Sequence, residues 1–188
     1  MPDHGAPAQP VLVRLPDLPD RAAALAALAE IFFLSTTRTS FASAAERAAF
    51  LDRWTGWYVE RAAADVWFAR DADGAILGYL TGCKDSAGAE ELARRIPKYE
   101  VFADRFADFP AHLHVNVRPG HRDRGIGRRL VDAYAADCLA DGLPGLHLVT
   151  GAFARNVAFY RRAGFTRAAQ RGPLLFLGRR LCPADRAG

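Results

Sequence analysis

The segment that most constrains the fold lies between residues 111 and 142, where a strand, a loop and a helix are predicted in succession. The strand is AHLHVNV (111–117), and the helix begins with GIGRRL. Glycine costs about 1 kcal/mol in a helix interior, so Gly125 and Gly127 at this helix start need a compensating role. The N–H groups of a first helical turn have no partner within the helix, and glycines leave room for a phosphate to reach them. We therefore predict a phosphate-binding loop here.

The order of the remaining predicted elements indicates a mixed α/β fold. A strand at 11–15 precedes two helices at 20–34 and 43–63, for which Asp20 and Ser43 are the expected caps. The other predicted elements are a hairpin around the DADG turn, a helical aromatic insertion at 84–110, a strand at 145–150, a helix at 153–164 and two final strands around an RGP turn. This order predicts a mixed sheet of about six to seven strands with helices on both faces. A single domain is expected over residues 11–182, after a flexible tail at 1–10.

Composition excludes several classes of protein. The chain has 188 residues, of which 51% are hydrophobic and 24% charged, as is typical of one globular domain. The start of the sequence lacks the pattern of a signal peptide, and the longest apolar run is too short to span a bilayer. Three widely separated cysteines form neither a disulfide framework nor a metal-binding spacing. We therefore expect a cytoplasmic protein that binds no metal and no membrane.

The loop sequence resembles the signature of a known family. It matches neither the P-loop pattern nor the dinucleotide fingerprint. The run RDRGIG, residues 122–127, is similar to the Arg/Gln-x-x-Gly-x-Gly/Ala motif of the GNAT superfamily of acyl-CoA N-acyltransferases. A second segment, ARNVAFYRRAGF at 154–165, resembles a later helix of that family. One helix and one strand separate the two segments, as the family requires, and the likeness covers roughly residues 65–180.

The resemblance implies the GNAT fold, with acetyl-CoA bound in a V-shaped split between the strands at 111–117 and 145–150. The pantetheine arm would hydrogen-bond the backbone of the first strand, as an added strand does. The pyrophosphate would accept hydrogen bonds from N–H groups of the glycine loop. The residues implied to bind the coenzyme are Val115, Asn116, Val117, Arg122, Asp123, Arg124, Gly125, Ile126, Gly127, Arg128, Asn156 and Phe159.

The same resemblance implies Tyr160 as the acid that protonates the CoA thiolate, because a phenol with a pKa near 10 keeps its proton at neutral pH. His112 and His114 are candidate bases, since residues two apart on a strand face the same side. Serotonin acetyltransferases carry a similar His-x-His, but here the pair lies one residue closer to the glycine motif. A slip of one residue reverses the face unless a bulge intervenes. The two histidines are therefore either catalytic or part of the core.

The predicted activity is direct transfer of an acetyl group to a primary amine in a ternary complex. The acceptor is expected to be a small-molecule or peptide amine, and the enzyme a monomer or a homodimer. The first two helices and the insertion are expected to form the acceptor pocket. The acids of the insertion indicate a cationic acceptor: Glu90, Glu91, Glu100, Asp104 and Asp108.

Two alternatives to this enzyme remain. The sequence HLHVNVRP with its glycine loop also resembles the acetyltransferase-like domain of some O-GlcNAc hydrolases and its bacterial relatives. That likeness allows a catalytically inactive CoA-binding protein or sensor of the same fold. The arginine cluster of the loop allows a nucleic-acid-binding module, but the sequence contains no nucleic-acid-binding motif, so no nucleic acid is expected as a partner.

Overall fold

The computed structural model of the protein describes residues 9–182, so that most of the tail predicted at 1–10 lies outside the described residues. The strands in this range are β1 (Val11–Arg14), β2 (Val66–Arg70), β3 (Ile76–Cys83), β4 (Ala111–Val117), β5 (Gly145–Gly151), β6 (Arg167–Arg171) and β7 (Leu174–Arg180). The α-helices are α1 (Arg21–Ser35), α2 (Ala44–Leu51), α3 (Trp57–Arg61), α4 (Glu90–Arg95), α5 (Ile126–Ala140) and α6 (Val157–Arg162).

The strands form one sheet in the order β1-β2-β3-β4-β5-β7-β6. Strands β4 and β5 pair in parallel, and the other neighbouring strands pair in antiparallel. The parallel pair requires a crossover connection, which α5 provides. The predicted mixed α/β fold is therefore confirmed, with seven strands in the described range.

The first helices begin where local capping chemistry predicts. The side chain of Asp20 accepts a hydrogen bond from the N–H of Ala23, and the hydroxyl of Ser43 accepts one from the N–H of Glu46. The helix predicted at 43–63 is interrupted, because a π-helical turn at Asp52–Gly56 separates α2 from α3. In that turn the Thr55 hydroxyl donates to the carbonyl of Leu51 at 2.8 Å, which competes with the regular helical hydrogen bonds.

Two apolar cores cover the two faces of the sheet. On one face α5 and α6 pack against the centre of the sheet through residues such as Leu130, Tyr134 and Phe165. On the other face, which we call the α1–α3 face, Leu28, Ile31, Tyr58, Phe68 and Tyr79 are fully buried. The arrangement confirms the prediction of helices on both faces.

The segment between β3 and β4 forms a separate layer on the α1–α3 face. Helix α4 and a 3-10 helix at Tyr99–Arg105 lie in it, as the sequence predicted for residues 84–110. Its Phe102 and Phe109 pack on Phe176 of β7 in a third apolar cluster. Within the described residues, no helix is both long enough and apolar enough to cross a lipid bilayer.

Candidate active site

The sheet opens between its two parallel strands. Strands β4 and β5 pair only at Ala111↔Leu146 and His112↔His147. Beyond these pairs β4 stays paired with β3 as far as Val117, and β5 stays paired with β7 as far as Gly151. The two strands therefore diverge toward their carboxyl ends, which produces the predicted V-shaped split.

The backbone of β4 offers hydrogen-bonding groups to this split. The N–H of Arg118 donates to the carbonyl of Leu77, next to β3, at 2.8 Å. Because successive residues of a strand hydrogen-bond to opposite sides, the N–H and C=O groups of Val115 and Val117 point away from β3, into the split. The carbonyl of Val117 accepts from Nε of Arg122 at 3.1 Å, in agreement with this direction.

The glycine loop ends at an uncapped helix N-terminus. Gly125 precedes α5 with φ of +79°, a left-handed conformation that favours glycine, and no side chain of the described residues caps the helix. The first backbone bond into the helix is from the N–H of Arg129 to the carbonyl of Gly125. The N–H groups of residues 126–128 therefore remain available, in line with the predicted phosphate site.

Gly127 has a different role from Gly125. A Cβ atom at Gly127 would lie 3.2 Å from the ring of Phe159 and 3.4 Å from Val117. A Cβ atom at Gly125 would meet no atom of the described chain within 4 Å. Gly127 therefore allows α5 to approach β4 and α6, whereas Gly125 leaves open space at the mouth of the loop.

Most arginines of the loop have partners in the described part of the chain. Arg118 forms a two-pronged ion pair with Glu30 of α1, and Arg122 reaches the hydroxyl of Ser35 at 3.3 Å. The Arg128 guanidinium bonds to Asp132 and to the carbonyl of Arg162. Among residues 9–182, Arg124 has no ion pair. An anion at this helix start would therefore be bound mainly by backbone N–H groups and not by a cluster of unpaired arginines.

The side chains of His112, His114 and Asn116 face the α1–α3 side of the sheet. The β3–β4 register is continuous, with no bulge that would reverse the face. His112 is 5% exposed, and its Nε2 lies 2.8 Å from the Tyr58 hydroxyl, while its Nδ1 lies 2.8 Å from the Ser86 hydroxyl. Burial lowers its pKa well below the usual value. His112 is thus a neutral core residue whose two nitrogens are both bonded.

His114 differs from His112 in that neither of its nitrogens has a hydrogen-bond partner within the described chain. Burial lowers its pKa to about 4, so the ring is neutral at pH 7 and able to accept a proton. Thr81 lies opposite it on β3, and the Thr81 hydroxyl is buried without a partner in the described residues. Buried polar groups normally have a hydrogen-bond partner, so the His114 ring and the Thr81 hydroxyl together form a place for a water molecule or a ligand.

Two tyrosines lie close to the split. Tyr160 of α6 is 5% exposed, and burial raises the pKa of its phenol. The amide of Asn116 donates to the hydroxyl of Tyr79 at 2.8 Å. Burial raises the pKa of Tyr79, the bond from Asn116 opposes that rise, and the nearby Tyr160 adds to it. Both phenols therefore stay protonated at neutral pH.

Sequence reasoning identified Tyr160 but missed Tyr79 and Thr81. Both lie in the strand GYLTGC, two residues apart, so they share one face of the sheet. They lie opposite Asn116 and His114 of β4, and this shared face is the signal that would have identified them. Asn156 directly precedes α6 but does not cap it; its side-chain oxygen accepts from the Thr150 hydroxyl at 3.1 Å. Phe159 packs on Tyr160 with ring centroids 5.0 Å apart. Asn156 thus lies at the β5 side of the split, whereas the ring of Phe159 also approaches α5 at Gly127.

The acids of the insertion are mostly paired with arginines. The pairs are Glu90–Arg94, Glu91–Arg95, Asp104–Arg171 and Asp108–Arg180. In the described chain only Glu100 of the five lacks such a partner. The ion pairs of the other four neutralise most of the acidic charge from which a cationic acceptor was expected. Within residues 9–182, no three His, Cys, Asp or Glu side chains are placed to hold a metal ion.

Comparison with known proteins identifies the family. A family model described as the acetyltransferase (GNAT) domain matches residues 62–167, more than half of the chain. The chain belongs to the GNAT family of acetyltransferases. The predicted family, the enzyme class of acyltransferase and acetyl-CoA as the acyl donor of this GNAT protein are thereby confirmed.

Solved structures with the GNAT fold superimpose over nearly the whole chain. SsHAT is 23% identical, with a TM-score of 0.72, over 93% of this chain and 100% of its own. PH1933 from Pyrococcus horikoshii OT3 is 19% identical, with a TM-score of 0.65, over 90% of this chain and 97% of its own. A phosphinothricin acetyltransferase from Sinorhizobium meliloti, in complex with acetyl-CoA, is 21% identical, with a TM-score of 0.57, over 93% of this chain and 89% of its own. The likeness to the domain of O-GlcNAc hydrolases stays a prediction.

Proposed function

We propose that this GNAT protein transfers the acetyl group of acetyl-CoA directly to a primary amine in a ternary complex. The observation that supports it best is the convergence of three features at one opening of the sheet. These are the unpaired backbone of β4, the uncapped start of α5 and the buried phenol of Tyr160. We further propose that the enzyme acts in the cytoplasm, where acetyl-CoA is available and where the buried thiols of Cys83 and Cys138 stay reduced.

In this proposal the coenzyme lies along β4. Its pantetheine arm hydrogen-bonds to the backbone groups of Val115 and Val117, which point into the split. Its pyrophosphate accepts hydrogen bonds from the N–H groups of residues 126–128, where the helix dipole also favours an anion. Arg124 adds charge at the mouth, and Asn156 contacts the arm from the β5 side.

The acceptor approaches from the α1–α3 face and loses a proton before it attacks. His114 acts on this proton through a water molecule held beside Thr81, because its ring is neutral, faces that side and has no hydrogen-bond partner among the described residues. With a pKa of about 4 it is a weak base, so it holds the proton only in passing and the water carries it on to solvent. His112 keeps β4 in place rather than taking the proton itself.

The amine nitrogen then forms a bond to the thioester carbon, and the carbonyl oxygen becomes an oxyanion that backbone N–H groups near Val115 stabilise. Collapse of this intermediate breaks the C–S bond, and the thiolate takes the proton of Tyr160. The nitrogen, which still carries one proton too many for an amide, gives it up through water and so restores the phenol of Tyr160. A covalent acyl-cysteine is not required. Burial raises the pKa of Cys83 to about 11 and that of Cys138 to about 12, which keeps both as unreactive thiols.

The test is the release of free CoA thiol with a panel of amines, for the wild type and for Tyr160→Phe. We expect the variant to keep its affinity for acetyl-CoA and to lose about a hundredfold in kcat, as for a missing general acid. Tyr134→Phe, a change in a buried tyrosine of the α5 core, is the matched control and should retain activity. Unchanged turnover in Tyr160→Phe would remove the tyrosine from the mechanism. Binding of acetyl-CoA with no thiol release from any amine would instead favour an inactive CoA-binding protein.

A further inference from the structure

The end of α6, the short helix that carries Tyr160, is held by contacts from outside the helix. A helix of this length is not stable by itself, and its last four carbonyls have no partner within it. Backbone N–H groups satisfy two of them. The carbonyl of Tyr160 accepts from the N–H of Phe165 at 3.1 Å, and the carbonyl of Arg161 accepts from the N–H of Gly164 at 3.1 Å. This pattern is the Schellman type of helix end, with Gly164 in the left-handed conformation.

The other two carbonyls accept hydrogen bonds from arginine side chains of neighbouring elements. Arg128, in the first turn of α5, donates from Nη1 to the carbonyl of Arg162 at 2.8 Å. Arg179, in β7, donates from Nη1 to the carbonyl of Ala163 at 3.1 Å. Positive charge at a helix C-terminus is favourable because of the helix dipole. All four terminal carbonyls of α6 therefore have donors, and two of these donors are guanidinium groups.

One carboxylate, that of Asp132, joins the two arginines. Its Oδ2 accepts from Nε of Arg128 at 2.5 Å, and its Oδ1 accepts from Nη1 of Arg179 at 2.7 Å. Arg179 is only 8% exposed, so a charged partner is needed to compensate the desolvation of its guanidinium. Asp132 lies one helical turn after Arg128, at the end of α5 where the diphosphate is proposed to bind. This carboxylate therefore connects the diphosphate end of α5 to the C-terminal end of α6.

We propose that Asp132 is a positioning residue for Tyr160. By holding both arginines it fixes the end of α6 against the start of α5, and so it sets the distance between the phenol and the sulfur of the bound coenzyme. This inference rests on the proposed function and adds a residue that touches neither the coenzyme nor the acceptor. The side chain of Arg128 then serves α6, and the diphosphate is bound by the backbone N–H groups of residues 126–128.

The kinetic test compares Asp132→Asn with Asp137→Asn, using acetyl-CoA and the amine of the panel that the wild type acetylates fastest. Asp137 is a matched control, because it lies on the same helix and also pairs with two cations, Arg14 of β1 and Lys84 after β3. We expect Asp132→Asn to lower kcat by about tenfold and to change the affinity for CoA by less than about twofold, because a displaced acid slows only the chemical step. Asp132→Glu keeps the charge and should recover part of the rate. Asp137→Asn should keep the wild-type kcat.

A double-mutant cycle shows whether the loss of rate passes through Tyr160. The acid is already missing in Tyr160→Phe, so adding Asp132→Asn to this variant should lower kcat further by less than about twofold. The inference is overturned, and the proposed function left intact, if kcat is unchanged in Asp132→Asn, if it falls equally in both backgrounds, or if Asp137→Asn loses as much. Unchanged turnover in Tyr160→Phe overturns the inference together with the role of the acid, while acetyl transfer itself stands.

Hydrogen exchange tests the anchoring of α6 without turnover. The amide protons of residues 163–165 are bonded within the helix end. They should exchange about tenfold faster in Asp132→Asn than in the wild type or in Asp137→Asn, as for the loss of a charge-assisted hydrogen bond. Equal exchange in the three proteins overturns the inference. No CoA release from any amine overturns the proposed function, whereas faster exchange confined to Asp132→Asn would still support the anchoring of α6 by this carboxylate.

Discussion

The hydroxyl of Tyr58 and Nε2 of His112 lie 2.8 Å apart in the interior of the protein, and they join α3 to β4. The other nitrogen of His112 is bonded to Ser86 of the insertion. One imidazole therefore connects a helix, a central strand and the insertion. Both partners are neutral hydroxyls, so nothing at this position compensates a positive charge on the ring. His114 lies two residues further along the same strand, so the position of His114 depends on the hydrogen bonds that hold His112.

We predict that the free energy of unfolding falls as the pH is lowered from 7 to 5. Burial holds the pKa of His114 and of His147 at about 4 and that of His112 well below the usual 6.5. Below pH 6.5 the unfolded chain takes up protons that the folded protein does not bind, and the loss continues until the pH reaches the folded pKa. We expect a loss of about 1–2 kcal/mol for each histidine over this range, measured by urea unfolding at a series of pH values.

A single substitution checks the origin of this pH dependence. The ring of His147 stacks between Phe106 and Phe176, with centroids 5.1 Å away on each side, so His147→Phe keeps the aromatic packing. The variant should lose about a third of the slope. An unchanged slope, or a stability that is flat between pH 7 and 5, would contradict the assignment to these histidines.

The substitution Thr81→Val, next to His114, is predicted to affect stability and activity differently. The Thr81 hydroxyl is buried without a partner in the described chain, so its replacement by a methyl group should leave stability unchanged or raise it by up to about 1 kcal/mol. If the hydroxyl holds the water or amine that His114 deprotonates, kcat falls at the same time. Thr81→Ser should restore the rate. A Val variant with full activity would assign the hydroxyl no role in the reaction.

The two glycines of the loop are predicted to respond differently to substitution. Gly125→Val places a side chain in open space at the expected phosphate site, at a conformational cost of about 1–2 kcal/mol. Gly125→Asn tolerates positive φ better, so it should recover stability but not affinity for CoA. Gly127→Val meets the ring of Phe159 and should lower the melting temperature strongly. Calorimetry with CoA that shows wild-type affinity for both Gly125 variants would exclude the loop as the phosphate site.

The sequence was sufficient where local chemistry decides the structure. The caps at Asp20 and Ser43 and the hairpin turn between β2 and β3 depend on a few neighbouring residues, and all were predicted. The helix predicted at 153–164 was too long, because two backbone turns, at Gly151–Ala154 and at Ala154–Val157, precede α6. Helix boundaries are sensitive to such turns.

The environment of the histidines could not be predicted, because it depends on distant parts of the chain. The partners of His112 lie 54 and 26 residues away in sequence, and the face of β4 follows from its register with β3. The same limit applies to the acids of the insertion. Asp104 pairs with Arg171, 67 residues away, so the charges of the segment alone gave the wrong impression of a free acidic surface.

Lys84→Met tests an ion network at the end of β3. The ammonium of Lys84 lies 2.7 Å from Asp137 of α5 and 3.4 Å from Asp65, and both carboxylates are mostly shielded from solvent. Desolvation already raises the pKa of Asp65, and loss of the ammonium removes the main opposing charge. We expect a loss of about 1–3 kcal/mol in urea unfolding at pH 7. Lys98→Met, at the exposed second lysine of the chain, should cost little. Equal costs for the two lysines would mean that the network contributes no net stability.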